Sequence, residues 1–235
     1  MTKRLRSDGN SVITFETIIN ILESNSLKIK QKTDILNIFY NHENILHMEI
    51  QALELLVKLD DYDINQALKM SMCNITSLLI IIIQQNYLLF FRECIKDNKK
   101  EYNRNTILCS LAMTHLDWFD VFDLSSEELV IIIRIALVHI DKKMLKSFIV
   151  KHMKKLNPQT ILEMAVDYNN KEIALFMLSR AKITIRVLYL STFHEELFTI
   201  LYTIADENIL KTNQSHSIID KLEIIKIHEY KQSLV

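Results

Sequence analysis

The chain has 235 residues, of which 49% are hydrophobic and 24% are charged, and its formal net charge is -1. This balance is typical of a globular protein, and the small net charge gives no indication of a nucleic-acid partner. The chain contains one glycine, Gly9, and one proline, Pro158, whereas average usage would give roughly 16 and 12. Glycine-dependent phosphate loops, nucleophile elbows and tight hairpin turns are therefore excluded, and we predict an all-α protein.

Residues 1–10 are polar and are predicted to form a disordered tail. Lys3, Arg4 and Arg6 form a small basic cluster in it, which is a candidate nuclear-import signal. No apolar signal-peptide segment follows, and the longest apolar run, 78–83, is far shorter than the roughly 20 residues needed to span a bilayer. We therefore expect a cytoplasmic or nuclear protein that does not enter a membrane.

Residues 11–235 are predicted to form a single helical domain. Val12, Phe15, Ile18 and Leu22 recur at helical spacing, and a second apolar stripe covers 45–59. Residues 60–63, with the sequence Asp-Asp-Tyr-Asp, predict a turn that caps a helix beginning near Ile64.

The middle of the chain contains segments that resemble one another in sequence, and we call this similarity the internal echo. Residues 106–124 align without a gap with 160–178, and 136–144 parallel 165–173. Equivalent positions fall near Ile81, Leu111, Ala136 and Ala165. Their spacing of about 25 to 30 residues is typical of a helix–turn–helix repeat. We therefore predict stacked helical hairpins over about 64–205, with a compact helical bundle as the alternative.

The best-defined repeat unit, 160–181, resembles an ankyrin repeat. The residues at matching places are Thr160, Leu162, Ala165, Asn169, Ile173, Leu178 and Ala181. The proline that follows the threonine in that family is Ile161 here, and the family's turn glycines are absent. The resemblance implies an ankyrin-like α-solenoid with a shortened or missing β-finger, of the diverged kind found in large DNA viruses, where such repeats engage host proteins.

Two alternatives remain open. Residues 116–129 resemble the BACK region of BTB adaptor proteins, in which a Leu-Ser-x-Glu-Glu-Leu turn starts a helix; this resemblance implies a ubiquitin-ligase adaptor. Physically, Ser125 or Ser126 as N-cap with Glu127 and Glu128 in the first turn is an ordinary helix start. A compact bundle of the Bcl-2 type is the other alternative, although the Asn-Trp-Gly-Arg motif of that family is absent.

No catalytic, cofactor-binding or metal-binding residues are predicted. The three cysteines lack the paired spacing of a zinc site. Trp118, which lies among aspartates, is expected to be a buried anchor or else an exposed binding residue. Lys143, Lys146 and Lys154 belong to the densest basic segment, which is either a solvated face or a patch for an acidic partner.

The sequence therefore predicts a non-enzymatic protein–protein interaction module without a cofactor. Isoleucine, lysine and asparagine are frequent, and because their codons are AT-rich we expect an AT-rich genome. A viral or parasite protein that binds host proteins is the function we expect.

Overall fold

The computed structural model describes residues 15–41, 46–97 and 101–205. The prediction of an all-α protein is confirmed, since these residues form α-helices and short 3-10 helices and no strand. The α-helices are α1 Phe15–Leu22, α2 Ile29–Tyr40, α3 Leu46–Lys58, α4 Tyr62–Met70, α5 Ile75–Gln84, α6 Leu88–Lys96, α7 Arg104–Thr114, α8 Ser126–His139, α9 Lys142–His152, α10 Pro158–Asp167, α11 Lys171–Met177, α12 Ile185–Ser191 and α13 Glu195–Ile204; the 3-10 helices are Leu116–Val121 and Met153–Lys155.

Short polar side chains begin many of these helices. Asp61 caps α4, because its Oδ1 accepts the Ile64 N–H at 3.0 Å. The predicted cap is therefore confirmed, although the helix begins at Tyr62. Ser125 and Glu128 form a reciprocal capping box at the start of α8, as the sequence of that turn indicated. The other described helices whose N-cap aspartate, asparagine or threonine side chain accepts a backbone N–H are α5, α7, α9, α10, α11 and α12.

Asparagine and aspartate replace glycine where the backbone takes positive φ. Asp60, Asn86 and Asn169 have φ values of 48°, 62° and 52°, and these are the residue types that tolerate the left-handed region best after glycine. After Asn169 the Asn170 N–H donates to the Ala165 carbonyl at 2.7 Å. This bond closes α10 with the Schellman pattern that normally uses glycine.

The helices gather into two compact units, with the division between Ile107 and Leu108. In the first unit α2 packs against α4, while α5 packs against both α3 and α6. Helices that are separated by one other helix in the sequence, such as α2 and α4 or α3 and α5, are therefore neighbours in space, as expected for successive hairpins. The expectation of a single domain over 11–235 stays a prediction.

The second unit contains three helical hairpins: α8 with α9, α10 with α11, and α12 with α13. We call the members of each pair the first and the second helix. The first helix α10 packs between the first helices α8 and α12, and the second helix α11 packs against α9. The hairpins of this unit therefore stack in chain order.

The three first helices run in the same direction. The Asn170 side chain, just beyond the end of α10, donates to the Leu137 carbonyl near the end of α8 at 3.1 Å. His194, just beyond α12, places its Nε2 3.2 Å from the Asp167 carbonyl oxygen at the end of α10. Both contacts join the C-terminal ends of neighbouring helices, so these ends lie at one edge of the unit.

One burial pattern recurs along the chain. In α8 the buried positions i, i+1, i+4 and i+5 are Ile132, Ile133, Ala136 and Leu137. The same pattern recurs one repeat later in α10 and again, one repeat after that, in α12. The described helices with it, besides α8, are α3 (Ala52, Leu53, Leu56, Val57), α5 (Leu78, Leu79, Ile82, Ile83), α6 (Phe90, Phe91, Cys94, Ile95), α7 (Ile107, Leu108, Leu111, Ala112), α10 (Ile161, Leu162, Ala165, Val166) and α12 (Val187, Leu188, Ser191, Thr192).

This pattern refines the echo seen in the sequence. Leu111, Ala136 and Ala165 occupy its third position, as the echo suggested, whereas the equivalent residue in α5 is Ile82 rather than Ile81. The gap-free alignment of 106–124 with 160–178 holds in its first half. In its second half, the 3-10 helix Leu116–Val121 stands where the later unit has an α-helix.

The described helices include none that is both long enough and apolar enough to cross a membrane.

Asn169 provides a test of the glycine-free turns. Asn169→Gly should leave the free energy of unfolding within about 0.5 kcal/mol of the wild type, since glycine fits positive φ. Asn169→Val should lower it by about 1–2 kcal/mol, because a β-branched residue is strained there. Urea denaturation measures both. Tyr168→Val is the matched control, because Tyr168 is exposed and has φ of -87°; an equal loss in this control would contradict the explanation.

Asn170 provides a test of hairpin coupling. This side chain is 7% exposed, accepts the Ile173 N–H and donates to the Leu137 carbonyl. Asn170→Ala should therefore lower the free energy of unfolding by about 2–3 kcal/mol, since it removes a cap and leaves a buried carbonyl unpaired. Asn157→Ala removes only an exposed cap and should cost about 1 kcal/mol. Equal losses in thermal or urea denaturation would show that the bond to Leu137 contributes nothing.

Candidate functional site

Trp118 is a core residue of the second unit. It lies in the 3-10 helix Leu116–Val121, is 2% exposed, and stacks on the His115 ring with centroids 4.4 Å apart. Its expected role as a buried anchor is therefore what the structure shows. The alternative role as an exposed binding residue needs correction, because a side chain this deeply buried presents no surface to a partner.

The basic segment of α9 and the following turn is largely paired with acids of neighbouring elements. Lys146 donates to Glu172 at 2.6 Å, and Lys155 to Asp123 at 3.0 Å. Lys151 forms a third ion pair, with Asp120. These pairs reduce the positive field that a bare lysine face would have, since each links cationic and anionic groups of adjacent elements.

The three lysines singled out from the sequence have different surroundings. Lys143 is exposed on α9, Lys146 is half-buried against Glu172, and Lys154 is exposed in the 3-10 helix Met153–Lys155. Lys143 and Lys154 make no ion pair with another described residue. The prediction that these lysines bind an acidic partner stays a prediction. The candidate import signal, Lys3, Arg4 and Arg6, lies outside the described residues.

A shallow cleft of about 220 Å³ lies between α9 and the 3-10 helix Leu116–Val121. Leu116, Phe148 and Met144 give it an apolar lining, while Asp117 and the Lys151–Asp120 pair add polar groups. Sites for drug-sized ligands are usually larger, about 300 Å³ or more, and largely enclosed. This cleft has room for a single side chain and is small for a drug-sized ligand.

Two pKa shifts follow from this part of the structure. Partial burial lowers the pKa of His152, and the nearby Lys151 and Lys155 lower it further, while Asp120 opposes them. The hydrogen bond from Lys146 lowers the pKa of Glu172, although desolvation opposes this shift. These surroundings thus favour the neutral form of His152 and the ionised form of Glu172.

The surface that sequence reasoning missed is the exposed side of the first helices α8, α10 and α12. The burial pattern fixes which side this is, because a helix with 3.6 residues per turn places positions i−1, i+2 and i+6 opposite the buried positions i, i+1, i+4 and i+5. We call it the first-helix face. It consists of three rows of equivalent residues, which are Ile131, Thr160 and Arg186; Arg134, Glu163 and Tyr189; and Val138, Asp167 and Phe193.

The first-helix face combines apolar, aromatic and charged groups. Ile131, Val138 and Phe193 are 50%, 60% and 66% exposed. Tyr189 contacts Phe193 edge to face, with ring centroids 6.3 Å apart. Exposed apolar groups and tyrosine and arginine side chains at equivalent positions of adjacent helices are typical of protein-binding surfaces.

One ion pair crosses this face within the described residues. Arg186 Nε donates to Glu163 Oε2 at 3.0 Å, whereas Arg134 of α8 pairs with no described carboxylate. This ion pair between Arg186 and Glu163 links the exposed side of α12 to that of α10.

A signal for this face was present in the sequence but weak. Ile131 and Val138 lie two helical turns apart in α8, which places two apolar residues on one helical side. In an apolar helix such as 130–140 that spacing does not distinguish the exposed side from the buried one. The distinction required the equivalence of α8 with α10 and α12.

Within the described residues, no group of three or more histidine, cysteine, aspartate or glutamate side chains is arranged to hold a metal ion. Cys73 and Cys94 are buried, and Cys109 is half-buried. No protein-family model, curated protein or solved structure matches this chain.

The His152 shift predicts a pH dependence of stability. A histidine whose pKa is lower in the folded state binds more protons when unfolded, so stability is lost as pH falls below the ordinary value of 6.5. The melting temperature should therefore decrease between pH 7.5 and pH 5.5. His152→Gln should reduce that decrease. The exposed His139 serves as control: if His139→Gln reduces the decrease by the same amount, His152 is not its source.

Proposed function

We propose that this chain is a non-enzymatic protein-interaction module that binds its partner through the first-helix face. The observation that supports the proposal is the recurring burial pattern, which turns equivalent sides of α8, α10 and α12 inward and leaves a multi-helix surface outward. Helical-repeat proteins present such extended surfaces to protein partners. The first-helix face also contains Tyr189, Arg134 and Phe193, residue types that contribute strongly to binding.

The repeat interpretation supports this function. Leu162, Ala165 and Ile173, three of the positions that resemble the ankyrin pattern, are fully buried, and Asn169 forms the turn between the paired helices. Each has the structural role that a stacked hairpin requires at that place. We therefore propose a diverged helical repeat, and from the AT-rich composition a viral or parasite protein that engages host proteins.

Site-specific photo-crosslinking tests which face binds. A photoreactive amino acid is placed at Ile131 on α8 or at Val150 on α9, which are 50% and 52% exposed. The protein is then irradiated in lysate of the cells in which it is naturally produced. We expect discrete crosslinked proteins from Ile131 and none from Val150, because only Ile131 lies on the first-helix face.

The loss of affinity caused by a substitution on this face measures how much the face contributes to binding. Once the crosslinked partner is purified, Tyr189→Ala should weaken its binding about thirtyfold, which corresponds to ~2 kcal/mol for a central aromatic contact. Leu175→Ala on α11 is the control, since Leu175 is 37% exposed on a second helix. Crosslinks from Val150 alone, or equal losses from both substitutions, would contradict binding through this face. Far-UV circular dichroism checks that each variant is folded.

A further inference from the structure

Val138, Asp167 and Phe193 form what we call the C-terminal row of the first-helix face. The row lies at the edge where the C-terminal ends of α8, α10 and α12 meet. Two contacts fix its members beside one another: Leu137, which precedes Val138, accepts a hydrogen bond from Asn170, and His194, which follows Phe193, contacts the Asp167 carbonyl. All three side chains of the row are exposed.

The Asp167 carboxylate lies at the end of its helix where the helix dipole is unfavourable to a negative charge. Asp167 is the last residue of α10, where the helix dipole favours a cation and disfavours an anion. The lysine that follows it in the next helix, Lys171, pairs with Glu196 instead. No described cation forms an ion pair with Asp167, so its carboxylate adds to the negative ends of three parallel helices.

The charge is flanked by apolar groups. Val138 and Phe193 are 60% and 66% exposed on either side of Asp167. A residue that occupies this row therefore meets negative potential at the centre and apolar surface at both ends. The partner with complementary chemistry is a cationic side chain with apolar neighbours.

We propose that the C-terminal row binds a short segment of a partner protein that places a lysine or arginine on Asp167 and apolar side chains on Val138 and Phe193. This inference rests on the proposed function and specifies the partner's chemistry. Packed helices are about 8–10 Å apart, so the row spans roughly 20 Å. An extended segment in the polyproline II conformation rises about 3.1 Å per residue with three residues per turn, so side chains three positions apart face the same way. This places the apolar residues about three positions on either side of the basic one.

A random peptide library displayed on phage and selected against the full chain tests the proposal. We expect enriched peptides with a lysine or arginine and apolar residues about three positions before and after it. Asp167→Lys should weaken the binding of these peptides about tenfold or more, since a like charge then faces the basic residue. Glu127→Lys is the matched control, because it makes the same charge change at an exposed site in the first turn of α8, and it should leave binding unchanged.

Asp167→Asn separates binding from folding. Because the carboxylate opposes the helix dipole, its removal should maintain or raise the melting temperature while it weakens peptide binding. Loss of binding in this variant would therefore not reflect unfolding. Unchanged binding in both Asp167 variants would overturn the proposal.

The remaining outcomes distinguish this proposal from the proposed function. Acidic or uncharged peptides whose binding is lost on Val138→Arg would overturn the basic-segment proposal and leave the binding face intact. A library that yields no peptides, or only peptides insensitive to Val138→Arg, also overturns it. In that case the crosslinks from Ile131 decide separately whether the first-helix face binds protein.

Discussion

The fold depends on one packing constraint, which is that a first helix between two others must bury two adjacent pairs of side chains. The pairs in α10 are Ile161 with Leu162 and Ala165 with Val166, and all four are fully buried. Because α10 contacts both α8 and α12, a polar residue at any of these positions would lose its water without a packing gain. The same constraint determines which residues remain outward, so the core and the first-helix face have a common origin.

Connections without glycine determine how closely the hairpins can follow one another. Asn169 takes the left-handed conformation that ends α10, and Asn170 both caps α11 and bonds to the end of α8. Two consecutive asparagines therefore end one helix, start the next and fasten the hairpin to its predecessor. Links this short provide little loop surface, which is why helix faces rather than loops provide the candidate site.

Local features of this fold could be predicted from the sequence, and non-local ones could not. The caps at Asp61 and Ser125 depend on neighbours within one helical turn and were recognisable. Lys146 pairs with a glutamate 26 residues away, so its membership of a basic run gave no indication that it was neutralised. Trp118 lies among aspartates in sequence, yet the 3-10 helix turns its ring inward. The first-helix face could be assigned only after the burial pattern established the equivalence of three helices.

The two sides of the second unit use their charges differently. On the second helices, Lys146 and Lys171 each pair with an acid in the first turn of the next hairpin's second helix, so attraction there holds successive hairpins together. On the first-helix face, Arg134 and Asp167 have no such described partner, and Asp167 also opposes its own helix dipole. In proteins generally, side chains whose placement does not favour stability are often found at functional sites. The contrast is the reason for which we propose the first-helix face, rather than the lysine-rich α9, as the partner-binding surface.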